Sequence, residues 1–455
     1  PHVPVHLGSM SESVRMILRE NASTLRPGMS FMTNDPFDGG THLPDVTVIT
    51  PVFDEAGEEI LFVTASRGHH ADIGGTTPGS APPDSVRIEE EGVVIHDALL
   101  VERGTLLRDA ARAVLTSGDW PCRNVEQNLA DLEAQVAANA TGVAELGRMV
   151  ETFGLPTVAA YMAHVQDNAE ESVRRVIDVL SDGEAVHRLD DGAEIRVAVT
   201  VDREARSATI DFAGTSPQQA GNYNAPLAIS RAVVLYVFRT LVGAPIPMNE
   251  GCLKPLDIRV PEGSMLNPRP PAAVIAGNTE VSQAMADALY AALGVLANSQ
   301  GTMNNFVWGN ARHQNYETIA GGTGAGEGFD GASAVQSHMT NTRMTDPEVL
   351  EARFPVRLEE LSIRRGSGGA GRWKGGDGVV RRLRFLEAMT ATVLTSHRET
   401  PPMGAAGGGP GAVGLNAVER ADGTTERLRG NDRAEMAPGD VFRMETPGGG
   451  GYGEA

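Results

Sequence analysis

Two short polar stretches carry residue types that can do chemistry together: Thr41-His42-Leu43-Pro44-Asp45 and His69-His70-Ala71-Asp72-Ile73-Gly74-Gly75. Neutral imidazole nitrogens and carboxylate oxygens are the donors taken by a borderline divalent cation such as zinc, manganese or iron. What joins the stretches decides whether they meet. Apolar runs at 46–53 and 60–67 flank an acidic, glycine-containing connector at 54–59, the pattern of a β-hairpin. Antiparallel pairing with Phe53 opposite Ile60 sets Val46 opposite Arg67 and brings both polar stretches to the open end. Pro51 has no N–H for a ladder, so the first run is expected at a sheet edge. Alternate side chains of an extended segment share a face. His70 and Asp72 are therefore expected to point together, with His69 pointing away. Pro44 removes a backbone donor and holds Leu43 extended, which puts His42 and Asp45 on an irregular loop. Asp35 and Asp38 lie just upstream as outer supports.

A chain of 455 residues can bury a large core and build more than one structural unit. A formal charge of −21, with no basic patch, argues against nucleic acid. No apolar run approaches the roughly 20 residues that span a bilayer, and no signal-peptide pattern is present. Cys122 and Cys252 share no motif and read as buried structural thiols in a reducing, cytoplasmic setting.

The elements around the hairpin follow from periodicity. Residues 1–123 form a loop-rich β unit centred on it, and Ser9-Met10-Ser11-Glu12 has the spacing of a helix capping box. Residues 124–183 read as a helical hairpin broken at Gly154-Leu155-Pro156, a packing or assembly element. Residues 184–345 are an α/β part that contributes to the site, with an alternating antiparallel pair at 195–212 and helices at 229–241 and 280–299. Residues 346–455 are glycine-rich and β in pattern. The fold class is α+β: mixed antiparallel sheets, a long αα-hairpin and a glycine-rich, β-dominated C-terminal part. Gly321-Gly322-Thr323-Gly324-Ala325-Gly326 lacks the Lys-Ser/Thr ending of a phosphate loop. It and the run from Gly366 to Gly378 read as tight turns.

Several of these stretches together resemble the hydantoinase B/oxoprolinase family. They are Pro4-Val5-His6-Leu7-Gly8-Ser9-Met10, the segment from Asn34 to Asp45, and His69-His70-Ala71-Asp72-Ile73-Gly74-Gly75. Pro78-Gly79-Ser80, Asn278-Thr279-Glu280, Met303-Asn304-Asn305, Tyr316-Glu317-Thr318 and the run from Pro447 to Gly453 also fit. The resemblance covers essentially the whole chain. It implies a B-type subunit that holds a divalent metal and completes hydrolysis of a cyclic amide. An A-type partner would use ATP to phosphorylate the substrate, so a hetero-oligomer is expected and no ATP is bound by this chain. Members carry further segments at both ends, so the chain is expected to be the body of such a subunit without those extensions.

On this resemblance His42, Asp45 and His70 are the first-choice metal ligands, with His69 as the alternative third. Asp72 would orient an imidazole or act as general base, and His6 is a proton shuttle or a structural residue. Asn278, Glu280, Asn304, Asn305 and Glu317 line a substrate pocket or are satisfied by backbone. Two further readings stay open: the metal-bearing subunit of an ATP-dependent ketone carboxylase, and a non-catalytic subunit with a structural metal. The cluster has no cysteine, which favours an open, reactive site over a closed structural one.

Overall fold

The structure is a computed structural model and describes residues 3–455. Its first helix, α1 (Pro4–Glu20), begins at a proline, whose fixed φ suits the first helical position. Ser9 is therefore inside the helix rather than capping it, and its hydroxyl donates back to Val5 O at 2.9 Å. His6 accordingly sits in the first helical turn. Gly8 lets α1 approach its neighbour closely, since a Cβ there would lie 2.7 Å from the Ala232 methyl.

Strands β1 (Ser30–Thr33), β2 (Asp45–Phe53), β3 (Ile60–His69), β4 (Ala98–Glu102) and β5 (Thr105–Leu106) form one sheet in the order β3-β2-β1-β4-β5. Helix α2 (Arg108–Leu115) follows. The β2–β3 hairpin is present and Phe53 does face Ile60, but a bulge after Val52 shifts every later pair by one. Val46 faces Gly68, and Asp45 faces His69. Strand β2 is also internal, not an edge. Its pairs with β1 run only from Thr47 to Ile49, so Pro51 lies past the stretch where an N–H is needed.

The helical hairpin is α3 (Val125–Phe153) and α4 (Leu155–Ile177), turned at Gly154 with φ +79°. Leu129 and Leu132 bury the start of α3 against the first sheet's core, while Met149, Phe153, Tyr161, Met162 and Val165 stay exposed near the hairpin tip. A second sheet follows, β6 (Gly183–Arg188), β7 (Glu194–Asp202), β8 (Ser207–Asp211) and β9 (Leu256–Arg259), covered by α5 (Leu227–Leu241) and α6 (Ser282–Leu293). Helix α6 is entered through one wide π turn, Gly277–Val281, and stops at Gly294 in the left-handed region. It is shorter than the expected 280–299 because that glycine ends it.

The C-terminal part has β10 (Asn305–Gly309), β11 (Gln314–Thr318), α7 (Pro347–Arg353), β12 (Val356–Arg364), β13 (Gly378–Phe385), β14 (Met389–Leu394), β15 (Leu415–Glu419), β16 (Thr425–Leu428), β17 (Asn431–Met436) and β18 (Val441–Glu445). They form sheets ordered β11-β10-β14-β17 and β12-β13-β18-β15-β16. Phe306, Trp308, Phe385 and Phe442 share the core to which both sheets contribute. The fold is thus α+β, with mostly antiparallel sheets and a strand-rich C-terminal part.

The glycine runs correct the expectation of turns. Gly322, Gly376 and Gly449 lie in segments packed backbone against backbone. A Cβ on Gly322 would sit 1.9 Å from Gly376 O, and one on Gly449 1.9 Å from Thr323 O. The segments bond across, Gly449 N to Gly376 O and Gly376 N to Thr323 O. The backbone N–H groups from Gly321 to Gly326 are each engaged by another protein group, which leaves no cradle for phosphate. Both cysteines are buried and free. No helix among the described residues is long and apolar enough to cross a membrane.

Candidate active site

Four elements bring three imidazoles to one carboxylate. Asp45 opens β2, His69 ends β3 directly opposite it, His42 precedes β2 in a tight loop, and His6 comes from the first turn of α1. The loop is fixed locally: Asp45 N donates to His42 O, and His70 N donates to Pro44 O at 2.8 Å. Gly39, at φ +87°, lets the preceding loop lie against the α1 backbone at Glu12. Arg67 completes the tie between α1 and β3, donating to Thr47 Oγ1 at 2.7 Å and to Ser13 Oγ at 2.8 Å.

Asp45 is fully buried. His6 Nε2 lies 2.8 Å from Oδ2, His42 Nδ1 2.9 Å from Oδ2, and His69 Nδ1 3.1 Å from Oδ1. Thr41 Oγ1 donates to Oδ2 at 2.9 Å. Burial works to raise the Asp45 carboxyl, but His42 and His6 outweigh it and hold it well below the usual carboxylate range. Burial lowers the His42 imidazole despite the opposing pull of Asp45.

One donor atom each from His42, Asp45 and His69 lies within 4.8 Å of the others. The polar bookkeeping points the same way. Asn278 Nδ2 lies 3.0 Å from His42 Nδ1, the nitrogen that also faces Asp45 Oδ2, and Asn278 Oδ1 has no protein partner. One ring nitrogen cannot both donate to a carboxylate and accept from an amide. Convergent lone pairs with too few protons between them are what a cation satisfies. The residues present therefore fit a divalent ion.

His42 and His69 also line a small cavity, with about 20 Å³ in which a water centre fits. Its walls include Thr279, Asn305 and Tyr316. The Tyr316 ring stacks on His69 at 5.6 Å, and its hydroxyl donates to Asn305 Oδ1 at 2.7 Å. Asn305 Nδ2 in turn donates to Glu280 Oε1 at 2.8 Å, and burial pushes the Glu280 carboxyl up to about 7.

The structure relocates several expected site residues. His70 points to the other face of the ribbon. Asn128 Nδ2 donates to its Nδ1 at 3.0 Å, so its Nε2–H donates to Gln135 Oε1 at 3.1 Å. Both ring nitrogens are occupied, and none is left for a cation. The physical reason is the bulge, which sets His69 rather than Gly68 opposite Asp45 and so turns His70 to the other face. Asp72 does not face an imidazole either. Its oxygens accept from the backbone N–H of Gly74, Gly79 and Arg123 and from the Arg123 guanidinium at 2.7 Å. Asp35 pairs with His96 and Asp38 with Arg19, away from Asp45. Asn278 reaches the cluster, Asn305 lines the cavity, and Glu280 stands behind Asn305. Asn304 is a packing residue on a left-handed backbone, φ 47°, bonded to Gln300, Ile319 and Arg398. Glu317 is buried against Arg381 at 2.8 Å. Sequence reasoning missed Tyr316. Strand alternation was the available signal, since Glu317 and Tyr316 point to opposite faces of β11.

Fold and cluster define a class: an α+β body in which imidazoles and a carboxylate meet beside a small cavity. The chain belongs to the hydantoinase B/oxoprolinase family, whose model matches residues 1–455. It is 43% identical to 5-oxoprolinase 1 of Arabidopsis thaliana and 44% identical to 5-oxoprolinase of Saccharomyces cerevisiae. Each match takes in 100% of this chain but 38% of the relative, so the chain spans less than two-fifths of their length. Among solved structures, the ATP-dependent caprolactamase from Pseudomonas jessenii matches 99% of this chain and 82% of its own, with a TM-score of 0.87 at 26% identity. An acetone carboxylase structure shares the fold, with a TM-score of 0.89 at 19% identity over 99% of this chain and 68% of its own.

Proposed function

We propose that this chain is the B-type, ring-opening part of an ATP-dependent cyclic amide hydrolase of the 5-oxoprolinase/hydantoinase type. The observation that carries the reading is the convergence of His42, Asp45 and His69 on one point at the cavity wall. Relatives named 5-oxoprolinase and a structural neighbour described as an ATP-dependent caprolactamase supply the substrate class, a cyclic amide. ATP would be used by a separate A-type part, as a domain of the same polypeptide or as a partner subunit.

His42, Asp45 and His69 would hold a divalent cation of the zinc, manganese or iron class. When bound, such an ion supplies Lewis acidity and eases deprotonation of water near neutral pH. The chain's own residues do the rest. Asp45 stays ionised and ties the three imidazoles together. His6, one-fifth exposed, joins Asp45 to solvent and moves the proton. Asn278 presents its amide beside His42, and Tyr316 closes the wall against His69. Asn305 and Glu280 hold the Tyr316 hydroxyl in place.

The test uses the protein together with its ATP-using part. Ring opening of 5-oxoproline or a hydantoin should require ATP and no bicarbonate. His42→Ala and Asp45→Ala should abolish it and lower bound cation in a protein that remains folded. Wild-type cation content in both variants would sink the assignment. Bicarbonate-dependent carboxylation of a ketone, without ring opening, would replace the hydrolase by a carboxylase.

A further inference from the structure

Helices α3 and α4 are bedded in the body only where the chain enters and leaves the hairpin. Leu129, Leu132 and Asn139 bury the start of α3, and Val173, Val176 and Ile177 bury the end of α4. Helix α3 still touches β3 at Gly142, where an added Cβ would lie 3.1 Å from Thr64 Cγ2. Helix α4 meets the body again at Gln166, whose carbonyl oxygen would lie 2.1 Å from a Cβ on Gly251. Among the described residues between these points, Val158 alone is buried. The two stretches stand out as an arm with almost no core of its own. Each is near the length at which a helix without tertiary packing is marginal in water.

The arm's apolar side chains collect on one groove. Met149 and Phe153 of α3 and Tyr161, Met162 and Val165 of α4 line it together with Val158. Phe153 is 62% exposed and Tyr161 68%. Taken at ~200 Å² for a fully exposed large side chain, the five exposed residues leave roughly 500 Å² open, toward the upper end of the apolar patch that an ordinary monomer shows. Charge beside the groove is settled locally, since Glu145 pairs with Arg148 and Asp167 with Lys254. A helix pair that presents this surface is ordinarily covered.

Direction and shape choose the occupant. Helix α3 leaves from the His70 face of the hairpin mouth, where Asn128 and Gln135 hold it, while the cavity lies on the His69 face. At 1.5 Å rise per residue, Phe153 is roughly 27 Å along the helix from Gln135. A part that hands activated substrate to the cavity gains nothing by seating there. The surface also holds both a groove and two protruding rings, so it is complementary to itself, as an isologous contact requires. Two copies together cover roughly 1,000 Å², the size at which an interface becomes specific. We propose that the 142–166 arm is a dimerisation element. The arms of two copies of this chain pair about a two-fold axis into a four-helix bundle, and Phe153 and Tyr161 of each copy enter the groove of the other.

The test uses the full chain alone, followed by sedimentation across the micromolar range. Wild type should be a dimer. Phe153→Glu and Tyr161→Glu, at exposed positions that the body's core does not use, should each shift it to monomer. Hydrogen exchange on wild type needs no variant. Amides of 142–166 should be protected at high concentration and lose that protection on dilution. A monomer at every concentration overturns the proposal. So does a dimer that both variants keep, since another face then forms it. Protection of 142–166 that appears only when the ATP-using part is added would give the groove to that part and overturn the proposal as well.

Discussion

On one face of the β2–β3 mouth, His6, His42 and His69 crowd a single carboxylate. On the other, His70 and Asp72 look equally suited to chemistry and have every polar atom answered by protein. His69 and His70 are adjacent residues, yet 32% of the His69 side chain remains exposed at the cavity while His70 is sealed under α3. What separates them is the partner supplied. Amides from Gln135 and Asn128 complement both His70 nitrogens, so that ring is a neutral structural link. Around Asp45 the conflict is left open, because His42 Nδ1 faces both a carboxylate oxygen and the Asn278 amide. A residue's type makes it eligible for a site, and the accounting of its partners decides.

The comparison breaks most directly at the two histidines. His69→Ala should reduce ring opening to background and lower bound cation, while stability changes by no more than about 0.5 kcal/mol, as for partly exposed side chains. His70→Ala should do the reverse. It strands two buried amide groups and should cost roughly 2–3 kcal/mol of folding stability, with cation content per folded molecule unchanged. Urea denaturation and metal analysis of both variants check this. Loss of the cation from a stable His70→Ala protein would reverse the assignment of faces.

Asp72 extends the structural face. Asp72→Ala leaves three backbone N–H groups without their acceptor and should cost about 1–3 kcal/mol. Arg123→Met removes only the half-exposed partner and should cost less than about 1 kcal/mol. Activity in both should follow the folded fraction measured by circular dichroism. A kcat defect in fully folded Asp72→Ala would return Asp72 to the chemistry.

Much of this was legible in the sequence. The hairpin, the helical pair and the meeting of the two polar stretches follow from periodicity and turn residues. The bulge does not, because one extra residue in a strand leaves no mark in an apolar run, and it alone exchanges His69 for His70. The amides that claim His70 lie on α3, some 60 residues away in sequence. Gly322, Gly376 and Gly449 read as turns because glycine serves turns and close backbone contact alike.

The cavity side also holds buried carboxyls shifted in opposite directions, a pattern associated with acid and base roles. Asp45 is kept ionised and Glu280 is pushed up to about 7 by burial. A folded carboxyl raised above its unfolded value binds more protons than the unfolded chain between about 4.5 and 7. Stability from this group is greatest below that window and falls as pH rises through it. Glu280→Gln should flatten the decline measured by urea denaturation between pH 5 and 7.5. Glu91, also pushed to about 7 by burial while it accepts from Val274 N and Ile275 N, contributes a slope of the same sign. Glu91→Gln should therefore flatten the curve further. An unchanged slope in the double variant would show both groups ionised in the folded protein.

The smallest expected effect tests the wall itself. Tyr316 touches no atom of the Asp45 carboxylate in the hydrogen-bond network. It acts through its ring on His69 and its hydroxyl on Asn305, which Glu280 holds from behind. Tyr316→Phe keeps the ring and removes one hydrogen bond, a change of about 1 kcal/mol, or roughly fivefold. If the wall positions substrate, the loss falls on kcat/KM, with cation content and thermal stability near wild type. Asn305→Ala should match it or exceed it slightly, because it also removes one of the two donors to Glu280 Oε1, and the double variant should be no worse than Asn305→Ala alone. Additive losses in the double variant would mean that the two side chains act separately. The pocket face would then be a set of independent contacts rather than one supported surface.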